Sequence, residues 1–252
     1  MITAQNLTKR YGNTVVLDEV SVEIPRGGIT AMIGPNGAGK STLLSLIGRL
    51  LKPDSGVVTI DGVPTTGMKQ ADFAKKVAIL KQDNHLAVRL TVEDLVTFGR
   101  YPHSHGRPTM EDRRHVENAI EYLELGDLRH RFLDELSGGQ RQRAFVAMVL
   151  CQGTDYVLLD EPLASLDMRH AVAMMKRMRG VAQDLGKSVV IVLHDINFAA
   201  SYADTIVAMK DGRIIQHAVV DEVMTPHALR AIYDVDVHVQ NIGGKPIGVY
   251  YS

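Results

Sequence analysis

Two glycine-rich segments of the chain carry the residue types that bind phosphate. The first reads Gly34-Pro35-Asn36-Gly37-Ala38-Gly39-Lys40-Ser41-Thr42 and fits the pattern G-x-x-x-x-G-K-[ST]; the second reads Leu136-Ser137-Gly138-Gly139-Gln140. Glycines allow backbone N–H groups to turn inward and approach a phosphate closely. In the first pattern, the P-loop, the lysine reaches the β- and γ-phosphates of a nucleotide and the next hydroxyl binds Mg²⁺. Lys40 and Ser41 are therefore predicted to take these roles.

The elements around the first segment are those that a P-loop needs. The apolar run Thr30–Ile33 predicts a buried strand, and the residues from Lys40 to Ile47 predict a helix that begins directly after the loop. A helix N-terminus adds unpaired donors and a favourable dipole for an anion. The strand, turn and helix thus favour a P-loop over a chance match in a glycine-rich turn.

A pair of carboxylates follows another apolar run. Tyr156–Leu159 predicts a buried strand, and Asp160-Glu161-Pro162 comes directly after it. A P-loop enzyme needs a carboxylate at a strand end to hold Mg²⁺, which is the role predicted for Asp160. Glu161 is then placed to act as general base towards an attacking water. The alternative is a solvated acidic turn, which the presence of a P-loop makes the weaker interpretation.

A histidine follows a third apolar run. Val189–Leu193 predicts a buried strand and delivers His194 and Asp195 at its end. Ligands of open α/β sheets bind at the carboxyl ends of the strands, where this histidine would lie. His194 is predicted to hydrogen-bond the γ-phosphate and to hold the water and Glu161 in place. The alternative is a histidine that caps a helix or packs in the core.

The second glycine-rich segment is not needed to bind the phosphates of a single nucleotide. Ser137 is expected to cap the helix that continues through Gln140–Met148, while Gly138 and Gly139 leave backbone donors uncovered for a γ-phosphate. Because a P-loop wraps the phosphates of its nucleotide by itself, a second cradle is expected to grip the nucleotide of another copy. The chain is therefore predicted to close on ATP as a dimer.

Together these motifs resemble those of the ATP-binding-cassette (ABC) ATPases, in the order of that family and over essentially the whole chain. Leu136–Gln140 matches the family signature letter for letter. The resemblance implies an α/β fold: a P-loop NTPase cassette with a RecA-like core, an N-terminal antiparallel β element and an inserted helical subdomain. It also implies hydrolysis of ATP with Mg²⁺, by a homodimer of cassettes that buries two ATP molecules.

The resemblance assigns further roles. Tyr11 stands where an aromatic residue stacks on adenine, although by itself it reads as a surface turn residue. Gln82 stands at the Q-loop position, and Ser165-Leu166-Asp167 matches the D-loop. The implied catalytic residues are Glu161, His194 and Gln82, and the implied Mg²⁺ ligands are Ser41, Gln82 and Asp160. The implied nucleotide-binding residues are Tyr11, Gly34, Pro35, Asn36, Gly37, Ala38, Gly39, Lys40, Ser41, Thr42, Ser137, Gly138, Gly139 and Gln140.

Three less specific stretches resemble the ATPases of ferric-siderophore importers. They are Lys81–His85, Leu90–Pro102 and Ile232–Tyr250. This narrower resemblance implies uptake of an iron–siderophore complex through two permease subunits, with an extracytoplasmic substrate-binding protein. One departure is Leu163–Asp167, where siderophore relatives often carry asparagines before Leu-Asp. A haem or cobalamin importer, an exporter and, more remotely, an ABC ATPase without a transport role remain alternatives.

Composition limits the partners. The net charge of −1 gives no broad basic field, so no nucleic-acid partner is expected. No segment approaches the roughly 18 apolar residues of a membrane span, and the start of the chain shows no signal peptide. The single cysteine, Cys151, is expected to be buried, which fits a reducing cytoplasm. The expected location is peripheral, at the cytoplasmic face of the cell membrane.

The chain is predicted to form one cassette with an insertion. Residues 1–86 and 151–252 are assigned to the nucleotide-binding core, and residues 87–150 to a helical subdomain that carries the signature. The tail from Val235 to Tyr251 is expected to form a strand or hairpin, and Arg100–Pro108 an exposed loop. His103, His105 and His115 invite a metal interpretation, but no Cys or carboxylate completes a convincing ligand set.

A groove for a permease helix is expected beside the Q-loop. Its candidate apolar lining residues are Leu86, Val88, Leu90, Leu95 and Phe98. The alternative for each is packing inside the helical subdomain. Leu86 and Val88 are favoured for docking because they lie in a polar loop, where core packing is weakest.

Overall fold

The computed structural model describes residues 1–82, 84 and 88–250. The strands are β1 Ile2–Tyr11, β2 Thr14–Ile24, β3 Gly28–Ile33, β4 Ser55–Ile60, β5 Val63–Pro64, β6 Val77–Leu80, β7 Tyr156–Asp160, β8 Ser188–Val192, β9 Thr205–Lys210, β10 Arg213–Val219, β11 His238–Ile242 and β12 Lys245–Val249. The helices are α1 Lys40–Ile47, α2 Gln70–Ala74, α3 Val92–Phe98, α4 Tyr101–Ser104, α5 Met110–Tyr122, α6 Gly138–Cys151, α7 Met168–Gln183, α8 Ile196–Tyr202, α9 Val220–Val223 and α10 Pro226–Tyr233. Short 3₁₀ turns cover Thr65–Gly67, Gly126–Leu128 and Leu133–Glu135.

The chain packs into two compact units. The first contains residues 1–68 and 188–252, and the second contains residues 69–187. The predicted helical subdomain, residues 87–150, falls within the second unit together with β6 and β7. Its exact bounds as a functional subdomain stay a prediction.

A buried sheet carries the P-loop in the first unit. Strand β3 pairs in parallel with β8 on one side and with β9 on the other, and β10 extends the sheet by antiparallel pairing with β9. All five residues of β8 are buried, as are the last five of β3. Continuous apolar runs such as these are typical of parallel strands that are covered on both faces. The P-loop and His194 each follow a strand of this sheet, as predicted.

The first unit also contains the predicted N-terminal antiparallel element and a C-terminal hairpin. Strands β1 and β2 pair around the Gly12 turn, and β4 and β5 complete that sheet in the order β2-β1-β4-β5. Strands β11 and β12 form the hairpin expected for the tail, with its turn at Gly243 and Gly244. The hairpin is tied to α8 because Asn197 both donates to and accepts from the backbone of Gly248, at 3.1 and 2.8 Å.

The second unit combines the parallel pair β6–β7 with a helical layer. Helices α3 and α5 begin at capping boxes, in which Thr91 and Thr109 each exchange hydrogen bonds with an aspartate three residues on. No helix in residues 1–82 or 88–250 is long and apolar enough to cross a membrane.

A buried ion pair corrects the loop prediction for residues 100–108. This segment contains the helical turn α4, and Arg100 at its start is 5% exposed. The Arg100 guanidinium lies 2.8 Å from Asp112 and also donates to the carbonyl of Cys151. Burial opposes ionisation of Asp112, but hydrogen bonds from Thr109 and Arg100 outweigh it and lower its pKa to about 2. The pair ties the start of α5 to the end of α6.

The apolar residues predicted to line the permease groove differ in their exposure to solvent. Leu95 is 1% exposed and packs in the core, so its assignment to a docking groove was wrong. Val88 and Phe98 are 66% and 55% exposed, and Leu90 is intermediate. Leu86 lies outside the described residues. Leu95 packs with Val92 and Val96 on the buried face of α3, whereas Phe98 is the last residue of the helix and is exposed there.

Candidate functional site

Two glycines of the P-loop, Gly34 and Gly37, differ in the space available for a side chain. Gly34 has φ +139°, and a Cβ added to it would lie 2.0 Å from the carbonyl oxygen of Met209 on β9. Gly37 has φ +79° but would meet nothing within 4 Å. Gly34 is thus required by packing against the sheet, whereas Gly37 leaves space above the loop for a phosphate to approach the backbone.

Lys40 is held at the start of α1. It is 5% exposed, and its ammonium group donates to the carbonyl oxygens of Gly34 and Pro35 at 2.8 and 2.9 Å. Ser41 and Thr42 follow in the first turn of the helix, whose N-terminus favours anions. The loop's own carbonyls therefore fix the positive charge beside the N-terminus that would receive a phosphate.

The carboxylates lie at the end of the β6–β7 pair. Asp160 is the last residue of β7 and is 5% exposed, while Glu161 directly follows with φ +49°. Gln82 comes shortly after β6, the parallel neighbour of β7, and its Nε2 donates to Oε2 of Glu161 at 2.9 Å. Left-handed backbone at a non-glycine residue is uncommon and clusters at functional sites. The structure thus brings the predicted base and the Q-loop glutamine into direct contact.

The signature segment starts α6 as expected. The Ser137 hydroxyl accepts from the backbone N–H of Gln140 at 3.3 Å, and the Ser137 N–H donates to the side chain of Gln140 at 3.0 Å. This reciprocal capping box confirms the N-cap prediction. Ser137 and Gly138 are both exposed, so the first turn is accessible to a ligand.

The D-loop packs against the signature within the second unit. A Cβ added to Gly138 would lie 3.5 Å from that of Ser165, and one added to Gly139 would lie 3.1 Å from Leu166. Asp167 caps α7 by accepting the backbone N–H of His170 at 2.9 Å. A substitution in the signature is therefore expected to alter the packing of the D-loop, and the reverse also holds.

His194 is exposed and precedes a capping residue. Asp195, not His194, caps α8 by accepting the backbone N–H of Asn197 at 2.7 Å. His194 follows Leu193, whose N–H donates to Met32 of β3 at 3.0 Å. The core and capping interpretations of His194 are thus replaced by an exposed position at the end of β8.

Tyr11 presents an accessible ring. It is 51% exposed and ends β1, with the ammonium group of Lys9 5.8 Å from the ring centroid. An exposed ring is compatible with stacking on a base, and its adenine role stays a prediction.

Two contacts of the site region were not predicted from the motifs. Arg141 donates to the carbonyl of Asn84 at 3.2 Å, which joins the signature helix to the Q-loop segment. Tyr233 accepts the backbone N–H of Gly34 at 3.2 Å. Burial raises the pKa of Tyr233 to about 12, so its hydroxyl stays protonated at neutral pH. Arg141 directly follows the signature, which is a weak local signal; Tyr233 offers none.

The donors available for Mg²⁺ are few and hard. The described residues contain no group of three or more His, Cys, Asp or Glu that could hold a metal ion. His103 is one of the three histidines considered above as metal ligands, and its Nε2 atom lies 2.9 Å from the carbonyl oxygen of Gln152. The buried carboxylate of Asp160 and the amide of Gln82, both at the end of the β6–β7 pair, are donor types that suit Mg²⁺ bound mainly through water and nucleotide phosphates, rather than in an all-protein cage.

The family follows from these features and from sequence comparison. A family model described as ABC transporter matches residues 17–164. The chain belongs to the ATP-binding, ATP-hydrolysing subunits of ABC transporters.

Individual relatives match most or all of the chain. It is 51% identical over 252 residues to the petrobactin import ATP-binding protein YclP of Bacillus subtilis (strain 168), covering 100% of both chains. It is 49% identical over 250 residues to the petrobactin import ATP-binding protein FatE of Bacillus anthracis, covering 99% of this chain and 100% of the relative. Among solved structures, the dimeric bacterial ABC transporter cassette MJ0796 superposes with a TM-score of 0.78 at 30% identity, covering 87% of this chain and 99% of that one.

Proposed function

We propose that this chain hydrolyses ATP to drive import of a ferric siderophore through a separate membrane permease. The observation that carries the proposal is the 51% identity, over the full length of both chains, to a petrobactin import ATP-binding protein. The second relative, at 49% identity, carries the same substrate in its name, so petrobactin is the first candidate.

The residues divide the hydrolysis step among them. Lys40 holds the β- and γ-phosphates, and the exposed Tyr11 ring stacks on adenine. Glu161 accepts a proton from water as the water oxygen attacks the γ-phosphorus, and the bond from that phosphorus to the ADP oxygen breaks. His194 donates to the γ-phosphate and orients the water. Ser41, Asp160 and Gln82 would hold Mg²⁺, which would supply positive charge to offset the charge that develops on the phosphate oxygens.

The contact between Gln82 and Glu161 supports this assignment. The amide Nε2 lies 2.9 Å from the carboxylate and keeps it at the end of the β6–β7 pair. The opposite end of the Gln82 amide is an oxygen, which suits a hard cation. Gln82 is therefore assigned to link the cation to the general base.

The signature acts on a second copy of the chain. Ser137, Gly138, Gly139 and Gln140 would contact the γ-phosphate of ATP bound to the P-loop of that copy. The dimeric form of the MJ0796 cassette supports a dimer of cassettes. Two cassettes would then act on two permease subunits at the cytoplasmic face, with an extracytoplasmic binding protein delivering the siderophore. Val88 and Phe98, both exposed, are the described candidates for the permease contact.

Uptake measurements in cells test the substrate. Cells in which Lys40→Ala replaces the wild-type chain should lose uptake of ⁵⁵Fe-labelled petrobactin, whereas the wild type retains it. Ferric hydroxamate, haem and cobalamin, supplied in parallel, serve as the competing substrates. Loss of haem or cobalamin uptake with normal uptake of ferric siderophores would assign the chain to an alternative importer. ATPase activity of the purified wild type is measured separately.

A further inference from the structure

Tyr233 is a half-buried residue that the motifs of the site do not include. It is the last residue of α10 and lines a cavity of about 240 Å³. His194, Ile196, Val235, Val237 and Tyr250 form the other walls. The cavity therefore has His194, the predicted γ-phosphate contact, on one wall and the ring of Tyr233 on another.

The Tyr233 hydroxyl contacts the first residue of the P-loop. It accepts the backbone N–H of Gly34 at 3.2 Å, across 199 positions of sequence. On its other side, Gly34 lies against Met209, whose carbonyl oxygen would be 2.0 Å from an added Cβ. Gly34 is therefore fixed between β9 and the end of α10 at the point where the chain leaves β3.

The same glycine holds the P-loop lysine. The ammonium group of Lys40 donates to the carbonyl of Gly34 at 2.8 Å. A shift of Gly34 consequently moves an oxygen that sets the position of this buried charge. Small displacements of a binding group are costly because the charge must meet the phosphate at a defined distance.

We propose that Tyr233 is a positioning residue of the nucleotide site, whose hydroxyl fixes Gly34 and through it the ammonium group of Lys40. The proposal rests on the nucleotide-binding role of the P-loop in the proposed function. It also gives the C-terminal segment a role, because the residues that follow Tyr233 complete the cavity and the hairpin is tied to α8 through Asn197 and Gly248.

The variant Tyr233→Phe tests this role, because it keeps the ring in the cavity and removes only the acceptor. We expect KM for ATP to rise roughly three- to tenfold, the range set by one net hydrogen bond, with kcat changed less than about twofold. The matched control is Tyr122→Phe in the second unit, which loses a hydroxyl that donates to the carbonyl of Arg177 at 2.7 Å. A purely structural role predicts that both variants lower the melting temperature and leave KM unchanged.

A second readout reports on the contact itself. The amide resonance of ¹⁵N-labelled Gly34 should move upfield in Tyr233→Phe and stay in place in Tyr122→Phe. An unchanged KM in folded Tyr233→Phe, or an unchanged Gly34 resonance, overturns the positioning role. If Tyr233→Phe does not fold, amide exchange in the wild type decides: protection of Gly34 supports the contact, and exchange at the rate of a free amide refutes it.

Failure of the proposed function would look different. A wild-type chain without ATPase activity, or with activity but no part in siderophore uptake, contradicts the proposed function. The Gly34 resonance and its protection would still test the Tyr233 contact in that case.

Discussion

The Nε2 atom of Gln82 lies 2.9 Å from the Oε2 atom of Glu161. Each residue follows one strand of the parallel pair β6–β7, so the register of two short strands sets this distance. Glu161 adopts φ +49°, a backbone conformation that costs energy for a non-glycine residue. The fold thus holds the proposed base in a defined place by a side-chain contact and by its own backbone.

Glu161→Gln should leave ATP binding intact and lower turnover about 10²–10⁴-fold, because the amide keeps the shape of the side chain but cannot accept the proton. Binding is measured by calorimetric titration with ATP and turnover by phosphate release. The control is Glu222→Gln, the same change at an exposed residue outside the site. Hydrolysis by Glu161→Gln at the wild-type rate would remove Glu161 from the mechanism.

Gly138→Asp should preserve ATP binding by the single chain yet abolish hydrolysis, because a negative side chain would face the γ-phosphate of the partner copy. Gly138→Ala is the control for packing: its Cβ lies 3.5 Å from that of Ser165, an ordinary contact, so the fold should be retained. Phosphate release and calorimetric titration are compared for the two variants. Equal hydrolysis by Gly138→Asp and the wild type contradicts the role of the signature.

The trans arrangement has its own test. In a Cys151→Ser background, cysteines at Ser41 and Ser137 should form a disulfide between two chains when ATP is present. The background change is needed because Cys151 is the cysteine of the natural sequence. Crosslinks that form only within one chain would show that the signature does not meet the P-loop of a partner.

Asp112→Asn should lower the free energy of unfolding by about 3 kcal/mol, because it leaves the buried Arg100 guanidinium without its carboxylate. The native pKa of Asp112, about 2, is below its ordinary value of 3.8. Its stabilisation is therefore present above pH 4 and is lost as the pH falls from about 4 to 2. Urea unfolding over this range should show the loss in the wild type and not in Asp112→Asn.

The control variant is Asp134→Asn, which removes an exposed ion pair with Arg89 and should change the free energy of unfolding by less than about 1 kcal/mol. An equal effect of the two variants would contradict the importance of the buried pair.

The Cys151 thiol should resist iodoacetamide in the folded protein at pH 8 and react within minutes in denaturant. It is 2% exposed, and burial raises its pKa to about 12, so almost no thiolate forms. Mass spectrometry of the alkylated chain measures the reaction. Rapid alkylation under native conditions would show that the end of α6 opens readily.

The family and the cassette fold were predictable because their chemistry is encoded locally. The spacing in Gly34–Thr42, the letters of Leu136–Gln140 and the strand that precedes Asp160 each need only a short window of sequence, and the family comparison confirms the prediction. Gly243 and Gly244 marked the C-terminal hairpin in the same way. The assignment of individual site residues stays a prediction that the experiments above address.

Other features of the structure could not be predicted because they depend on tertiary contacts. Nothing near Tyr233 in sequence indicates that its hydroxyl meets Gly34, because the partners are 199 positions apart. Arg100 begins a polar, proline-containing stretch and was predicted to lie in an exposed loop, yet a carboxylate on the next long helix allows its burial. Leu95 and Phe98 have similar apolar side chains, and only the packing of α3 decides which one is covered.

The parallel sheet of the first unit has a consequence for synthesis on the ribosome. Strand β3 ends at Ile33, but both of its neighbours, β8 and β9, begin only at Ser188 and Thr205. At about 5–20 residues per second, the P-loop strand is translated on the order of ten seconds before either neighbour exists. Nascent chains therefore expose two open, apolar strand edges for that time, which makes them substrates for chaperones and prone to aggregate when translation stalls upstream of Ser188.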